Sequence, residues 1–77
     1  MPHINVSFHQ GPETQVDLQA LSSALTEVIV EKLGINSQFV SVTIEPVDKN
    51  NWAEQVLKKY IHQPNYQVIK PVSYKYK

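Results

Sequence analysis

The residue with the most distinctive chemistry stands second in the chain. In Met1-Pro2-His3-Ile4-Asn5-Val6, a small second residue permits trimming of the initiator methionine, which leaves the nitrogen of Pro2 as the amino terminus. That nitrogen is then a ring-constrained secondary amine with a titratable proton. A primary α-amino group titrates at about 7.7 to 8.0 in model peptides. An apolar pocket or a neighbouring cation disfavours the charged form, so a terminal proline there is neutral near physiological pH and can move a proton between two atoms of a substrate. His3 points to the polar side of the segment that follows and is a candidate to line the same pocket. His9 and His62 have no partner at metal-ligand spacing and read as surface residues; no metal or cofactor is expected. Ser22 and Ser23 fall inside a helical pattern with no histidine–acid arrangement around them, which argues against a nucleophilic serine.

The elements that must hold Pro2 are legible from the periodicity. His3 to His9 alternates, with Ile4, Val6 and Phe8 on one face and Asn5 and Ser7 on the other, the pattern of a half-buried strand. Gln10-Gly11-Pro12-Glu13 breaks it. Thr14 with Asp17 fits a capping box, and Leu18, Leu21, Leu25, Val28, Ile29 and Leu33 form one apolar stripe that ends at Gly34, a left-handed cap. Val40, Val42 and Ile44 form a second strand that Pro46 stops. Strand, helix and strand make a βαβ unit, so the two strands should be parallel. Asn50 or Asn51 is expected to cap a short helix from Trp52 to about Tyr60, with Trp52, Val56 and Tyr60 on one face. After a turn at Pro64 and Asn65, residues 66–77 read as an extended arm or edge strand, with Val68, Val72, Tyr74 and Tyr76 alternating, broken at Pro71 and reaching a partner subunit.

Size and charge narrow the classes. A chain of 77 residues is one α/β (α+β) domain spanning 1–77, and it buries only about 60% of its unfolded surface. Without cysteine, neither disulfides nor thiolate metal sites can compensate, which leaves oligomerisation. A two-stranded sheet covered on one face needs a second chain, and a homodimer is favoured over a hexamer by the long C-terminal segment. Zero formal net charge argues against nucleic acid or an anionic membrane as partner. The Tyr74-Lys75-Tyr76-Lys77 ending, which could suit single-stranded nucleic acid, reads as a dimer contact instead. No membrane span or signal-peptide layout is present, so a cytoplasmic protein is the expectation. All seven basic residues are lysines.

Taken together, Met-Pro with an alternating strand, a helix ending near Gly34, the Val40-Ser41-Val42-Thr43-Ile44 strand and an aromatic eight residues beyond it at Trp52 resemble the tautomerase superfamily. The group is that of 4-oxalocrotonate tautomerase. Asn51-Trp52-Ala53-Glu54-Gln55-Val56, and Ile69-Lys70-Pro71 before Tyr74, are similar to its longer subgroup of phenylpyruvate-type enol tautomerases. The resemblance implies a cofactor-free keto–enol tautomerase for a 2-oxo acid, with Pro2 as general base and then acid and Trp52 as a wall that keeps the pocket apolar. The arginines of that group fall on Pro12 and Ser41. A lysine acting as a point charge, Lys70 by preference, or backbone amides at a helix start would take their place, which favours a monoacid with an aromatic tail over a diacid. If Pro2 stays protonated, the resemblance points instead to the family's dehalogenases, hydratases or decarboxylases. If Met1 is retained, it points to a dimeric binding module without chemistry.

Overall fold

The structure, a computed structural model, describes residues 1–9, 11, 16–63 and 65–75. Strand β1 (His3–His9) leads to helix α1 (Leu18–Leu33), then a short 3₁₀ turn (Ser37–Phe39) and strand β2 (Ser41–Val47). A second 3₁₀ turn (Lys49–Asn51) runs into a second helix (Ala53–Ile61). The strands pair in parallel, His3 opposite Ser41 through His9 opposite Val47. This is the βαβ unit the alternation predicts.

Local chemistry accounts for each boundary. Asp17 caps α1, its carboxylate accepting from the Ala20 N–H at 3.0 Å. Thr14, predicted to open the helix, lies outside the described residues, as do Pro12, Glu13, Pro64 and Tyr76. Gly34 ends α1 at φ 66°, and its N–H donates to the Val30 carbonyl at 3.0 Å, as a left-handed cap requires. Pro46 does not stop β2, contrary to expectation; the strand continues through it to Val47. The Ser41 N–H donates to the Pro2 carbonyl at 3.2 Å. With a period of two, the N–H groups of Val42 and Ile44 and the nitrogen of Pro46 therefore point to the free edge. The donor that proline lacks is one the ladder does not use.

The second helix also departs from expectation. Neither Asn50 nor Asn51 caps it: its N-cap is Trp52, with no side-chain bond, while Asp48 caps the 3₁₀ turn before it, accepting from the Asn50 N–H at 2.8 Å. The helix is wide, with an i→i+5 bond from the His62 N–H to the Leu57 carbonyl at 2.8 Å. Its shielded side chains come in pairs four apart: Trp52 and Ala53, Val56 and Leu57, Tyr60 and Ile61. Widening the turn brings Leu57 onto the face predicted for Trp52, Val56 and Tyr60. The arm forms no strand among the described residues from 65 to 75. Within the chain it folds back, Tyr66 lying 5.2 Å from the Tyr60 ring and Tyr74 reaching Trp52.

Little of this is closed from water. Among the described residues only Val47 (1% exposed) and Leu57 (6%) are buried. Leu21, Leu25 and Ile29 of α1 are half-buried over the sheet, while Leu18, Val28 and Leu33 of the same stripe stay open to solvent. A helix about 10 Å across overhangs two strands set about 4.8 Å apart. The surface is 6401 Å². A compact monomer of 8.8 kDa has about 4,800 Å². The excess is of the order of one protein–protein interface. Among the described residues no helix is long and apolar enough to cross a membrane.

Candidate active site

Pro2 sits where the ladder begins. Its carbonyl is held by the Ser41 N–H, whereas Met1 is 98% exposed. Beside it, the open face of the sheet carries a run of hydrogen bonds whose direction can be deduced from one end. The Glu45 carboxylate can only accept, so the Ser7 hydroxyl (2.7 Å) and the Asn5 amide N–H (3.3 Å) both donate to it. The Asn5 amide oxygen therefore faces Thr43, whose hydroxyl donates at 2.7 Å. Thr43 Oγ1 must then accept from His3 Nε2 at 3.1 Å. In a neutral imidazole this leaves Nδ1 as the acceptor, and the Ser41 hydroxyl donates to it at 2.6 Å. His3 and Ser41 thus stand together next to Pro2, with the ring's tautomer set by a carboxylate three hydrogen bonds away.

Those bonds also act on Glu45. Donation from Ser7 first, then from Asn5, holds its carboxyl below the usual value, with a smaller pull from Lys59 of the second helix. Because the folded pKa is depressed, the stabilisation is complete above the unfolded value and is lost as pH falls through the folded one. Glu45→Gln should therefore be less stable than the native chain at neutral pH. Its urea midpoint should change less than the native one over the acid range below the ordinary glutamate pKa.

At the far end of the strands lies a cleft of about 470 Å³, lined by Ser7, Phe8, His9, Trp52 and Tyr74. The His9 and Trp52 rings meet edge to face with centroids 4.5 Å apart, and the indole N–H donates to the Tyr74 hydroxyl at 3.0 Å. Trp52 therefore lines this cleft with its ring. His9 and Tyr74 join it although the sequence marked them as surface and as dimer contact. The proximity of Tyr74 depends on the arm folding back across 22 residues, which no local pattern announces. Lys70 is exposed and does not line the cleft. Nor does the cleft include Pro2: the seven residues of β1 separate the two by about 20 Å at 3.3 Å per residue. Among the described residues no three histidine or carboxylate side chains cluster to hold a metal.

A βαβ unit that starts on proline and carries an aromatic cleft beyond its second strand defines a class, and the chain belongs to the tautomerase family. The family model described as tautomerase enzyme matches residues 2–59, so Pro2 is the first residue matched. Tautomerase PptA of Cronobacter sakazakii is 38% identical over 56 residues, which is 73% of this chain and 74% of that protein. A probable tautomerase of Xylella fastidiosa is 32% identical over 74 residues, 96% of this chain and 89% of the relative. Among solved structures, DmpI from Helicobacter pylori is similar with a TM-score of 0.58 at 27% identity, covering 65% of this chain and 78% of that one. Family membership supports a tautomerase-type function.

Proposed function

We propose that the protein is a cofactor-free keto–enol tautomerase of a 2-oxo acid with an aromatic tail, phenylpyruvate-like, in which Pro2 is general base and then acid. The observation that carries this reading is the tethering of Pro2. Its carbonyl is fixed by Ser41 while the residue before it is free in solvent, so removal of Met1 leaves an imino nitrogen already placed at the sheet's end. The neutral amine takes the enol hydroxyl proton as the C=O bond forms, and the resulting ammonium returns a proton to the adjacent carbon. The reverse direction uses the same two atoms. His3 and Ser41 flank the nitrogen as polar ligands for the substrate's oxygens, and Trp52 supplies the dry wall. Lys70, on the exposed arm, is an outlying cation.

One chain cannot bring Pro2 and Trp52 together, and two can. A second copy laid antiparallel along the free edge of β1 sets Pro2 of each chain beside the Trp52 cleft of the other. It also offers a second chain to cover the exposed Leu18, Val28 and Leu33 of α1. A two-fold dimer is the smallest closed assembly that does both. Intact mass of the purified protein should show the loss of one methionine residue. Full turnover by a protein that keeps Met1 would refute the reading, because the Pro2 nitrogen would then be an amide without a basic lone pair.

A further inference from the structure

We propose that His3 and Ser41 form a carboxylate site worked by one proton. An anion accepts the hydrogen bond that the Ser41 hydroxyl gives to His3 at rest, and His3 takes up a proton from water in exchange. Identifying that anion as the acid group of the substrate rests on the tautomerase reading; the binding itself does not need Pro2 to act.

The direction of the bonds on the open sheet face leads to this exchange. With a neutral imidazole, the Ser41 hydroxyl donates to His3 Nδ1 at 2.6 Å and His3 Nε2–H donates to Thr43 at 3.1 Å. Neither side chain has a proton left to offer, so a carboxylate arriving at Ser41 would meet lone pairs alone. Turning the Ser41 hydroxyl outward supplies a donor, yet it sets oxygen and Nδ1 lone pair to lone pair at the same 2.6 Å. A proton on Nδ1 removes that clash. The imidazolium donates to Ser41 from Nδ1 and still donates to Thr43 from Nε2, so the bonds from Thr43 through Asn5 to Glu45 stay as they are. One hydroxyl rotation and one proton complete the change.

The pair is open to a ligand and already placed for it. Both side chains are exposed, and contacts at opposite ring nitrogens hold the imidazole across the two strands, so little freedom is lost on binding. Among the described residues, the charged groups bearing on this face are Glu45 of β2, Lys59 of the second helix, which pulls on Glu45, and the Pro2 amine once Met1 is removed. Helix α1 lies over the sheet with the apolar Leu21, Leu25 and Ile29. One hydroxyl and one imidazolium match a single carboxylate, which makes a monoacid the fitting charge type.

Phenylacetate, which has no keto group to turn over, is titrated into the full-length protein by calorimetry in two buffers of different ionisation heat. At a pH of about 8, above the ordinary imidazole range, the difference between buffers should show about one proton taken up per ligand. By linkage, affinity should fall about tenfold for each unit of pH above that range. Nitrogen NMR of the native protein should show the His3 ring gaining its second N–H as ligand is added. His3→Gln should abolish the uptake and flatten the pH dependence. Ser41→Ala should weaken binding by about tenfold, the worth of one hydrogen bond to a charged group. Circular dichroism checks that both variants keep the strands, and the NMR readout needs no variant. In turnover, KM for a 2-oxo acid should rise with pH while the rate at saturation follows Pro2. Uptake that survives His3→Gln would put the proton on the Pro2 amine and overturn the proposal. Binding without uptake, undiminished affinity in Ser41→Ala, or no heat of binding at any pH would overturn it equally. Failure of the Pro2 mechanism would leave the phenylacetate-linked uptake in place, whereas failure of the His3 assignment would leave Pro2-dependent turnover intact.

Discussion

Pro2→Ala should lower kcat/KM for tautomerisation of an aryl 2-oxo acid by about 10²-fold or more, within the span general acid–base catalysis provides. Alanine at that position still frees an amine after methionine removal, so the loss measures what the ring contributes. The pyrrolidine ring locks rotation about the N–Cα bond and aims the lone pair, while a primary amine on an unconstrained residue can rotate away from the substrate. Folding should be indifferent to the change, since the contact that ties Pro2 to the sheet runs through its carbonyl and survives substitution. Native activity should also rise with pH as the amine loses its proton, and level off once it is neutral. Enol consumption followed by absorbance, with circular dichroism as control, checks both points. Undiminished turnover in the alanine variant would exclude Pro2 as the base.

Mixing two dead proteins should restore activity. In the proposed dimer, Pro2→Ala and Trp52→Ala each damage both sites when present in both chains. In a mixed dimer, the intact Pro2 of one chain meets the intact Trp52 of the other, so one of the two sites is whole. Random exchange of subunits gives about a quarter of native activity per site for a two-fold assembly. The measurement is turnover after co-refolding equal amounts of the two variants, compared with the same proteins assayed apart. Activity no higher than the sum of the parts would place Pro2 and Trp52 in separate functions. The distance along β1 makes this a sharp test, because rearranging one chain to close about 20 Å would require breaking the strand itself.

How far such a site can be read from sequence depends on how local its causes are. The alternation of β1 and the Gly34 cap are set by neighbouring residues, and both stand as predicted. The role proposed for Pro2 is read from its place at the start of the strand pairing. Pro46 misleads for a geometric reason: proline ends a strand only if its nitrogen faces the partner, and that depends on register. The arm's alternating Val68, Val72 and Tyr74 suggest a strand, yet the described residues from 65 to 75 form none within this chain. Lys70 stands out because arginine is absent, a matter of composition, while Tyr74 enters the cleft through a fold-back contact that composition does not encode.

Pro46 carries one further consequence. Its nitrogen faces the outer flank of β2, where Val42 and Ile44 present their N–H groups, and it interrupts that row with a position unable to donate. Any strand arriving on that flank would find an incomplete template, so growth of the sheet is directed to β1. In the proposed dimer both borders would be β2 strands bearing the same interruption, so that a single imino acid on each side stands against a third chain.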